Sequence, residues 1–130
     1  TIRSALLNER PIVRSDGTMR RDYVYVKDIV SAYMTLAEAM QGGQHTGGTF
    51  NFGMDAPRTA LEMVNTIIRL SDHPDLAPVI LNEAKNEIQD QYLSSDRAHS
   101  LLGWKPQYTL EEGLRETIVW YREVIVGSKQ

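Results

Sequence analysis

The segment 15–28 constrains this chain more than any other part of its sequence. It reads SDGTMRRDYVYVKD: a polar turn, a pair of arginines, an alternating aromatic and β-branched run, and the start of an amphipathic helix. Alternation is typical of a strand, so the segment predicts a turn, a strand over 22–26 and then a helix that begins at Asp28 as its N-cap. This order places Arg20 and Arg21 at the entrance of a strand, where a guanidinium group can bind an anionic ligand.

Helices and short strands alternate along the rest of the chain. Apolar spacing predicts helices over 1–9, 28–41, 59–71, 95–102 and from 109 onward, and short strands over 11–14, 49–52, 79–81 and 92–93. Thr59 with Glu62 and Thr109 with Glu112 are capping boxes that begin two of these helices, and Gly103 ends a third. We expect a mixed α/β domain of about four to five helices and short strands.

Composition excludes several classes of function. The 130 residues carry a net charge of −3, which does not favour binding to nucleic acid or to an anionic membrane. Cysteine is absent, which excludes disulfides and thiolate chemistry and is typical of a reducing cytoplasm. No apolar run approaches the roughly 20 residues of a membrane span. The three histidines lie far apart without ligand spacing, so no metal site is predicted.

Three arginines, Arg14, Arg20 and Arg21, cluster around one turn of the sequence. A diphosphate is best bound by a planar fork of donors, which arginine offers and lysine does not, so the cluster predicts an anion site in a cleft. The alternative is a solvated basic edge whose arginines pair with Asp16 and Asp22. The spacing of the residues alone favours the basic edge over the anion site.

Four segments, taken in order, carry a likeness to one known family. They are Arg21-Asp22-Tyr23-x-x-Val26-x-Asp28, Phe50-Asn51-Phe52-Gly53, Leu102-Gly103-Trp104-Lys105-Pro106 and Leu110-Glu111-Glu112-Gly113-Leu114. This order resembles the C-terminal part of the NAD-dependent nucleotide-sugar epimerases and dehydratases, which are extended short-chain dehydrogenases/reductases. The segment 84–88 looks closer to the CDP-glucose 4,6-dehydratase branch than to the UDP-galactose epimerase branch.

The resemblance implies a set of substrate-binding residues. Arg21 takes the position of the family's arginine that contacts the diphosphate, and Asn51 takes that of an asparagine that also reaches the phosphates. Arg14 falls where relatives place a residue against the nucleotide base. Many relatives carry a second arginine before the position of Tyr92, whereas this chain has Lys85 there, so the role of Lys85 as a second clamp stays open.

Neither a catalytic tyrosine-lysine pair nor a dinucleotide-binding turn of the family is predicted in this sequence. Tyr23-x-x-x-Lys27 has the spacing of the catalytic Tyr-x-x-x-Lys pair, but four residues advance about 6 Å along a helix and about 13 Å along a strand. Because we expect a strand here, the pair is not predicted to be catalytic. The glycine-rich segment 42–48 follows a helix and precedes a strand, whereas a dinucleotide-binding turn needs the reverse order. We predict no catalytic, cofactor-binding or metal-ligating residue in this chain.

Residues 1–130 are therefore expected to form the C-terminal, nucleotide-sugar-binding portion of a longer enzyme, without its N-terminal dinucleotide-binding domain. In that enzyme the resemblance implies NAD or NADP as cofactor, not bound by this portion, which is expected to have no turnover alone. Apolar surface bared by the missing domain predicts a homodimer or a rearranged association. Two alternatives stay open: a non-catalytic binding or interaction module, and part of a decarboxylase or 4-keto reductase of the same family.

Overall fold

Five helices and five short strands form the described part of the chain, residues 1–84 and 87–127 of the computed structural model. In chain order they are α1 (Ile2–Leu6), β1 (Ile12–Val13), β2 (Arg20–Arg21), α2 (Val26–Gln41), β3 (Arg58–Thr59), α3 (Ala60–Leu70), β4 (Val79–Ile80), β5 (Asp90–Gln91), α4 (Asp96–Leu102) and α5 (Leu110–Gly127). Strand β1 pairs parallel with β4, and β2 lies between antiparallel β3 and parallel β5. The predicted mixed α/β fold is confirmed. None of the described helices combines the length and the apolar character needed to cross a membrane.

Helix α3 connects two apolar clusters of the core. Met63 and Ile67 pack against α1 and α5, whereas Val64 and Ile68 pack against Val13 of β1. Both pairs follow from helical periodicity, because residues four apart lie on the same face. Burial of one such side chain contributes about 1.5–3 kcal/mol, so α3 fixes the position of the neighbouring elements.

The predicted helix boundaries at Thr59, Thr109 and Gly103 are confirmed. Glu62 Oε2 accepts a hydrogen bond from Thr59 N at 2.7 Å, and Thr59 Oγ1 accepts one from Glu62 N at 3.1 Å. The second capping box repeats this exchange between Thr109 and Glu112 at 2.8 and 3.3 Å. Gly103 follows α4 with φ of 66°, a left-handed conformation that glycine adopts without steric cost.

The strand predicted over 22–26 is wrong. Strand β2 ends at Arg21, and α2 already begins at Val26. The chain leaves the sheet at Asp22 because this carboxylate accepts hydrogen bonds from backbone N–H groups on a distant loop, including Met54 N at 2.8 Å. The alternating run that follows β2 is therefore a connection to α2 and not a ladder partner.

The strand predicted over 49–52 is also wrong. No strand in the described ranges pairs with it; Phe50 and Phe52 instead pack against the third apolar cluster, around buried Trp104. The ring centroids of Phe52 and Trp104 are 5.0 Å apart in an edge-to-face arrangement, which aromatic rings favour. The short strand predicted over 92–93 lies two residues earlier in the structure, as β5 (Asp90–Gln91).

Asp28 is not the N-cap of α2, contrary to the prediction from the sequence. The N-cap is Tyr25, and Asp28 lies in the first helical turn. Its side chain is fully buried, and its Oδ1 accepts a hydrogen bond from Gln107 N at 2.7 Å. The carboxylate therefore joins the start of α2 to the loop before α5, at a helix end whose dipole favours negative charge.

Gly113→Ala should destabilise the fold even though alanine is the better helix former. A Cβ atom on Gly113 of α5 would lie 2.8 Å from Tyr25 Cγ. Alanine favours a helix interior by about 1 kcal/mol over glycine, whereas overpacking costs about 1–3 kcal/mol. We expect a net loss of about 1 kcal/mol in the free energy of unfolding, measured by urea denaturation.

Gly42→Ala is the matched control for this prediction. Gly42 is the C-cap of α2 with φ of −75°, and its added Cβ would meet its nearest atom, Ala39 O, at an ordinary 3.5 Å. This change should alter stability by no more than about 0.5 kcal/mol. A Gly113→Ala protein as stable as the wild type would contradict the close packing of α5 on Tyr25.

Candidate functional site

An open cleft of about 860 Å³ lies beside the end of β2. Arg21 and Asp22 line one wall, the segment 50–53 lines another, and β5 with Tyr92 lines a third. The pairing of β2 with β5 and the contact of Asp22 with the loop after 53 bring these three parts of the chain together. The volume lies in the range of about 300–1,000 Å³ that is typical of small-molecule sites.

Arg21 places a cation in this cleft. Its side chain is half-buried, and its Nη1 donates to the carbonyl oxygens of Arg20 at 2.7 Å and Gln89 at 3.4 Å. No ion pair joins this guanidinium to a carboxylate in the part of the chain that the structure describes. No described carboxylate therefore competes with an anion in the cleft for Arg21.

Arg20 behaves differently, because successive residues of a strand point to opposite faces. Its guanidinium pairs with Asp90 at 3.8 Å and lies 5.6 Å from the ring centroid of Tyr92. The alternative of a basic edge paired with Asp16 and Asp22 is not formed within the described residues. Asp16 instead accepts hydrogen bonds from the backbone and the hydroxyl of Thr18, which lower the pKa of its carboxyl.

Asn51 lines the same cleft as Arg21. Its Nδ2 donates to Ser94 O at 3.3 Å, and the side chain is otherwise exposed. An amide can both donate to phosphate oxygens and accept from sugar hydroxyls. The fold therefore brings together two of the four side chains that the sequence singled out for substrate binding.

The other two predicted residues do not join this pair. Arg14 directly follows β1, is exposed and is not part of the cleft wall; its carbonyl accepts from Glu83 N at 2.7 Å and Ala84 N at 3.1 Å. A role for Arg14 against a nucleotide base stays a prediction. Lys85 lies outside the described residues, so its role as a second clamp also stays a prediction.

Sequence reasoning missed the residues that shape the cleft. Asp22 was considered only as an ion-pair partner, yet its Oδ2 accepts from Met54 N at 2.8 Å and Asp55 N at 3.1 Å. A Cβ on Gly53 would lie 2.3 Å from that oxygen, so this contact requires glycine. Asp55 in turn accepts from Ser95 N at 2.9 Å. Asp22 and Gly53 both lie in segments that resemble the family, but neither match indicated that the two residues are in contact.

Tyr23 and Lys27 are not arranged as a helical Tyr-x-x-x-Lys pair, although the strand expected there is not formed. Tyr23 precedes α2 and packs against the core cluster of α1, α3 and α5. Lys27 pairs with Glu116 of α5, and Tyr25 donates to the same carboxylate at 2.6 Å. The hydrogen bonds from Lys27 and then Tyr25 lower the pKa of Glu116, and Glu116 raises the pKa of Lys27. Lys27 thus connects two helices.

Comparison with known proteins identifies the family. A family model described as "GDP-mannose 4,6 dehydratase" matches residues 1–117 of the 130. The chain belongs to this family of extended short-chain dehydrogenase/reductase nucleotide-sugar dehydratases and epimerases. A dTDP-glucose 4,6-dehydratase of Haemophilus influenzae is 31% identical to this chain over an alignment of 134 residues. The alignment covers 92% of this chain and 38% of the relative. A UDP-glucose 4-epimerase of Mycolicibacterium smegmatis is 32% identical to this chain over 110 residues. That alignment covers 82% of this chain and 33% of the epimerase.

Solved structures of the epimerase/dehydratase family match the fold. The UDP-glucose 4-epimerase of Thermotoga maritima, solved with UDP-glucose, superposes with a TM-score of 0.83 at 28% identity and covers 95% of this chain and 38% of that one. The dTDP-glucose 4,6-dehydratase of Bacillus anthracis, solved with NAD, superposes with a TM-score of 0.75 at 27% identity. This match covers 94% of this chain and 37% of that one. This chain thus spans about a third of the length of the curated relatives above. The likeness to the CDP-glucose branch stays a prediction, since these relatives are named for dTDP-glucose and UDP-glucose.

Proposed function

We propose that this chain is the nucleotide-sugar-binding part of an NAD-dependent nucleotide-sugar 4,6-dehydratase or epimerase, and that Arg21 and Asn51 hold the diphosphate. The observation that carries the proposal is that these two side chains line one cleft. In this view residues 1–130 are the C-terminal, substrate-binding portion, and the dinucleotide-binding domain lies elsewhere in the complete protein. A cytoplasmic location stays a prediction from the absence of cysteine.

The composition of the cleft supports a ligand with a charged centre and less polar ends. Arg21 has no carboxylate partner in the described residues and offers the planar fork that suits a diphosphate. Tyr92 and Leu93 on the opposite wall are 45% and 66% exposed, so a base or a sugar ring can cover them on binding. The phosphate groups orient the sugar, and orientation of this kind is how remote binding energy assists a reaction at another atom.

The glycine-rich segment 42–48 does not have the arrangement of a dinucleotide-binding turn. The glycine-rich segment 42–48 runs from the end of α2 into a segment without strand pairing, whereas a dinucleotide turn connects a strand to a helix N-terminus. The chemistry that NAD or NADP supplies in this family is hydride transfer. In our proposal that chemistry, and the catalytic tyrosine and lysine, belong to the rest of the protein, so the 130-residue chain alone has no turnover.

One face of α2 supports the proposed division into domains. Val26, Val30, Tyr33 and Met34 lie on this face, and each is more than half exposed. We propose that the face packs against the dinucleotide-binding domain in the complete protein. The 130-residue chain alone should then associate into a dimer or a rearranged assembly, measured by sedimentation velocity. A single monomeric species at high concentration would contradict this part of the proposal.

Calorimetric titration of the complete protein tests the proposed function. UDP-glucose, dTDP-glucose and CDP-glucose are the ligands, and glucose and NAD are the comparison compounds. We expect at least one nucleotide sugar to bind and free glucose not to bind, because the diphosphate supplies the charge that Arg21 recognises. Absence of binding by all three nucleotide sugars would contradict the proposal.

Product analysis on the bound sugar then separates the alternatives. A 4-keto-6-deoxy product identifies a dehydratase, and a C4 epimer identifies an epimerase. Release of carbon dioxide from a nucleotide-linked uronic acid would identify a decarboxylase, and reduction of a 4-keto sugar would identify a reductase. Binding without any turnover in the presence of NAD and NADP would identify a non-catalytic binding module.

A further inference from the structure

We propose that Asp22 is a positioning residue that sets the affinity for the nucleotide sugar by holding the loop with Asn51 against β2. This inference rests on the function proposed above. Asp22 adjoins Arg21 in sequence, and its carboxylate is bonded to the loop that follows Asn51. The distance between the guanidinium and the amide across the cleft therefore depends on this carboxylate.

The contact of Asp22 with the loop is specific. One oxygen, Oδ2, accepts from both Met54 N at 2.8 Å and Asp55 N at 3.1 Å, and hydrogen bonds to an ionised acceptor are the stronger class. The oxygen approaches so closely that a Cβ on Gly53 would lie 2.3 Å from it and 3.5 Å from Ser95 Oγ. Any side chain at 53 would push the loop off Asp22.

A second tether holds the other side of the same loop. Asp55 Oδ1 accepts from Ser95 N at 2.9 Å, and Asn51 Nδ2 donates to Ser94 O at 3.3 Å. Asp55 has φ of 52°, a left-handed conformation that costs energy for a residue other than glycine. The loop is therefore held in a strained turn between Asp22 on one side and the residues before α4 on the other. Loss of the Asp22 contacts leaves the loop held only on the side of Ser94 and Ser95, so the position of Asn51 relative to β2 is no longer fixed.

Simple electrostatics predicts the opposite effect of Asp22, which makes the inference testable. Asp22 lines the cleft, and a carboxylate there repels a diphosphate. If repulsion were its main effect, removal of Asp22 would tighten binding of a nucleotide sugar. If Asp22 positions the loop, its removal weakens binding although a negative charge has been lost.

The test is titration of UDP-glucose and dTDP-glucose into the complete protein and into four variants: Asp22→Ala, Gly53→Ala, Asn51→Ala and the double variant of Asp22→Ala with Asn51→Ala. We expect Asp22→Ala to weaken binding at least tenfold. Gly53→Ala should weaken binding similarly, since it keeps the charge and displaces the loop. Asp22→Ala should add less than threefold in the Asn51→Ala background, because both changes act on the same contact between Asn51 and the ligand. With saturating cofactor, KM should rise more than kcat falls.

Each other outcome overturns the inference. Binding by Asp22→Ala that is unchanged or tighter, or effects of the two substitutions that multiply fully, would refute positioning through the loop. Asp28→Ala is the control for general loss of stability, since Asp28 is buried away from the cleft; an equal loss of affinity there would also refute it. Should Asp22→Ala fail to fold, Gly53→Ala carries the comparison against Asp22→Asn, which removes the charge but keeps an acceptor oxygen for Met54 N and Asp55 N. Asp22→Asn should then weaken binding less than Gly53→Ala does, and an equal or greater loss would refute positioning. A wild type that binds none of UDP-glucose, dTDP-glucose and CDP-glucose would refute the proposed function itself, whereas a binding wild type with indifferent variants refutes the positioning role alone.

Discussion

Arg21→Ala should weaken nucleotide-sugar binding by about 2–3 kcal/mol, or roughly 30- to 150-fold, the scale of a hydrogen-bonded charge pair. The effect is large because no carboxylate among the described residues neutralises Arg21, and its loss leaves the cleft with the negative charge of Asp22, whereas Asp90 stays paired with Arg20. Calorimetry on the complete protein measures the change. Arg21→Lys should recover only part of the affinity, since an ammonium group keeps the charge without the planar fork.

Arg20→Ala is the matched control on the same strand. Arg20 adjoins Arg21 on β2 but does not line the cleft, and its charge already pairs with Asp90. Its removal should change the affinity by no more than about threefold, or roughly 0.7 kcal/mol. Equal losses for the two arginines would mean that the cleft responds to net charge alone, and the assignment of Arg21 to the diphosphate would be wrong.

Asp28→Ala should lower the free energy of unfolding by about 2–3 kcal/mol, the scale of losing a hydrogen bond to a buried charged group. The substitution leaves Gln107 N without its acceptor and opens space at a fully buried position. Asp28→Asn keeps an acceptor for Gln107 and should cost less, about 1 kcal/mol, mainly from the lost interaction with the helix dipole. Urea denaturation of the three proteins provides the comparison.

Asp96→Ala is the control for the dipole contribution. Asp96 occupies the first turn of α4, as Asp28 does in α2, but it is exposed and its carboxylate makes no recorded hydrogen bond or ion pair within the described chain. The substitution Asp96→Ala should lower the free energy of unfolding by no more than about 1 kcal/mol. If Asp28→Ala costs no more than Asp96→Ala, the buried link between α2 and the loop before α5 contributes little to stability.

Local chemistry made part of this fold predictable. Both capping boxes and the left-handed Gly103 depend on residues within a few positions of one another, so short sequence patterns encode them fully. The alternating pattern at 22–26 led to a wrong strand prediction because the side chains of Tyr23 and Tyr25 pack against different parts of the molecule. Tyr23 packs into the core, and Tyr25 packs against Tyr108 and Gly113 of the C-terminal region. An extended connection can alternate in this way without a strand partner.

The residues of the candidate site were predictable only at positions that match the motifs of the family. Arg21 and Asn51 were found as motif positions, and nothing in their separate sequence contexts places them in one cleft. Asp22 and Asp28 carry tertiary hydrogen bonds to Met54 and Gln107, far away in the chain. Bonds of this kind leave no periodic signal, because a carboxylate that accepts from a remote backbone resembles any surface acid in a sequence.

Chemical-shift mapping tests the central claim that one cleft holds the diphosphate between Arg21 and Asn51. The complete protein, labelled with ¹⁵N at arginine and asparagine, is titrated with UDP-glucose, and Arg21→Lys and Asn51→Asp assign the side-chain signals. The account predicts that the Arg21 Nε and Asn51 Nδ2 signals shift together with one binding curve. Saturable binding that leaves both signals unmoved would contradict it.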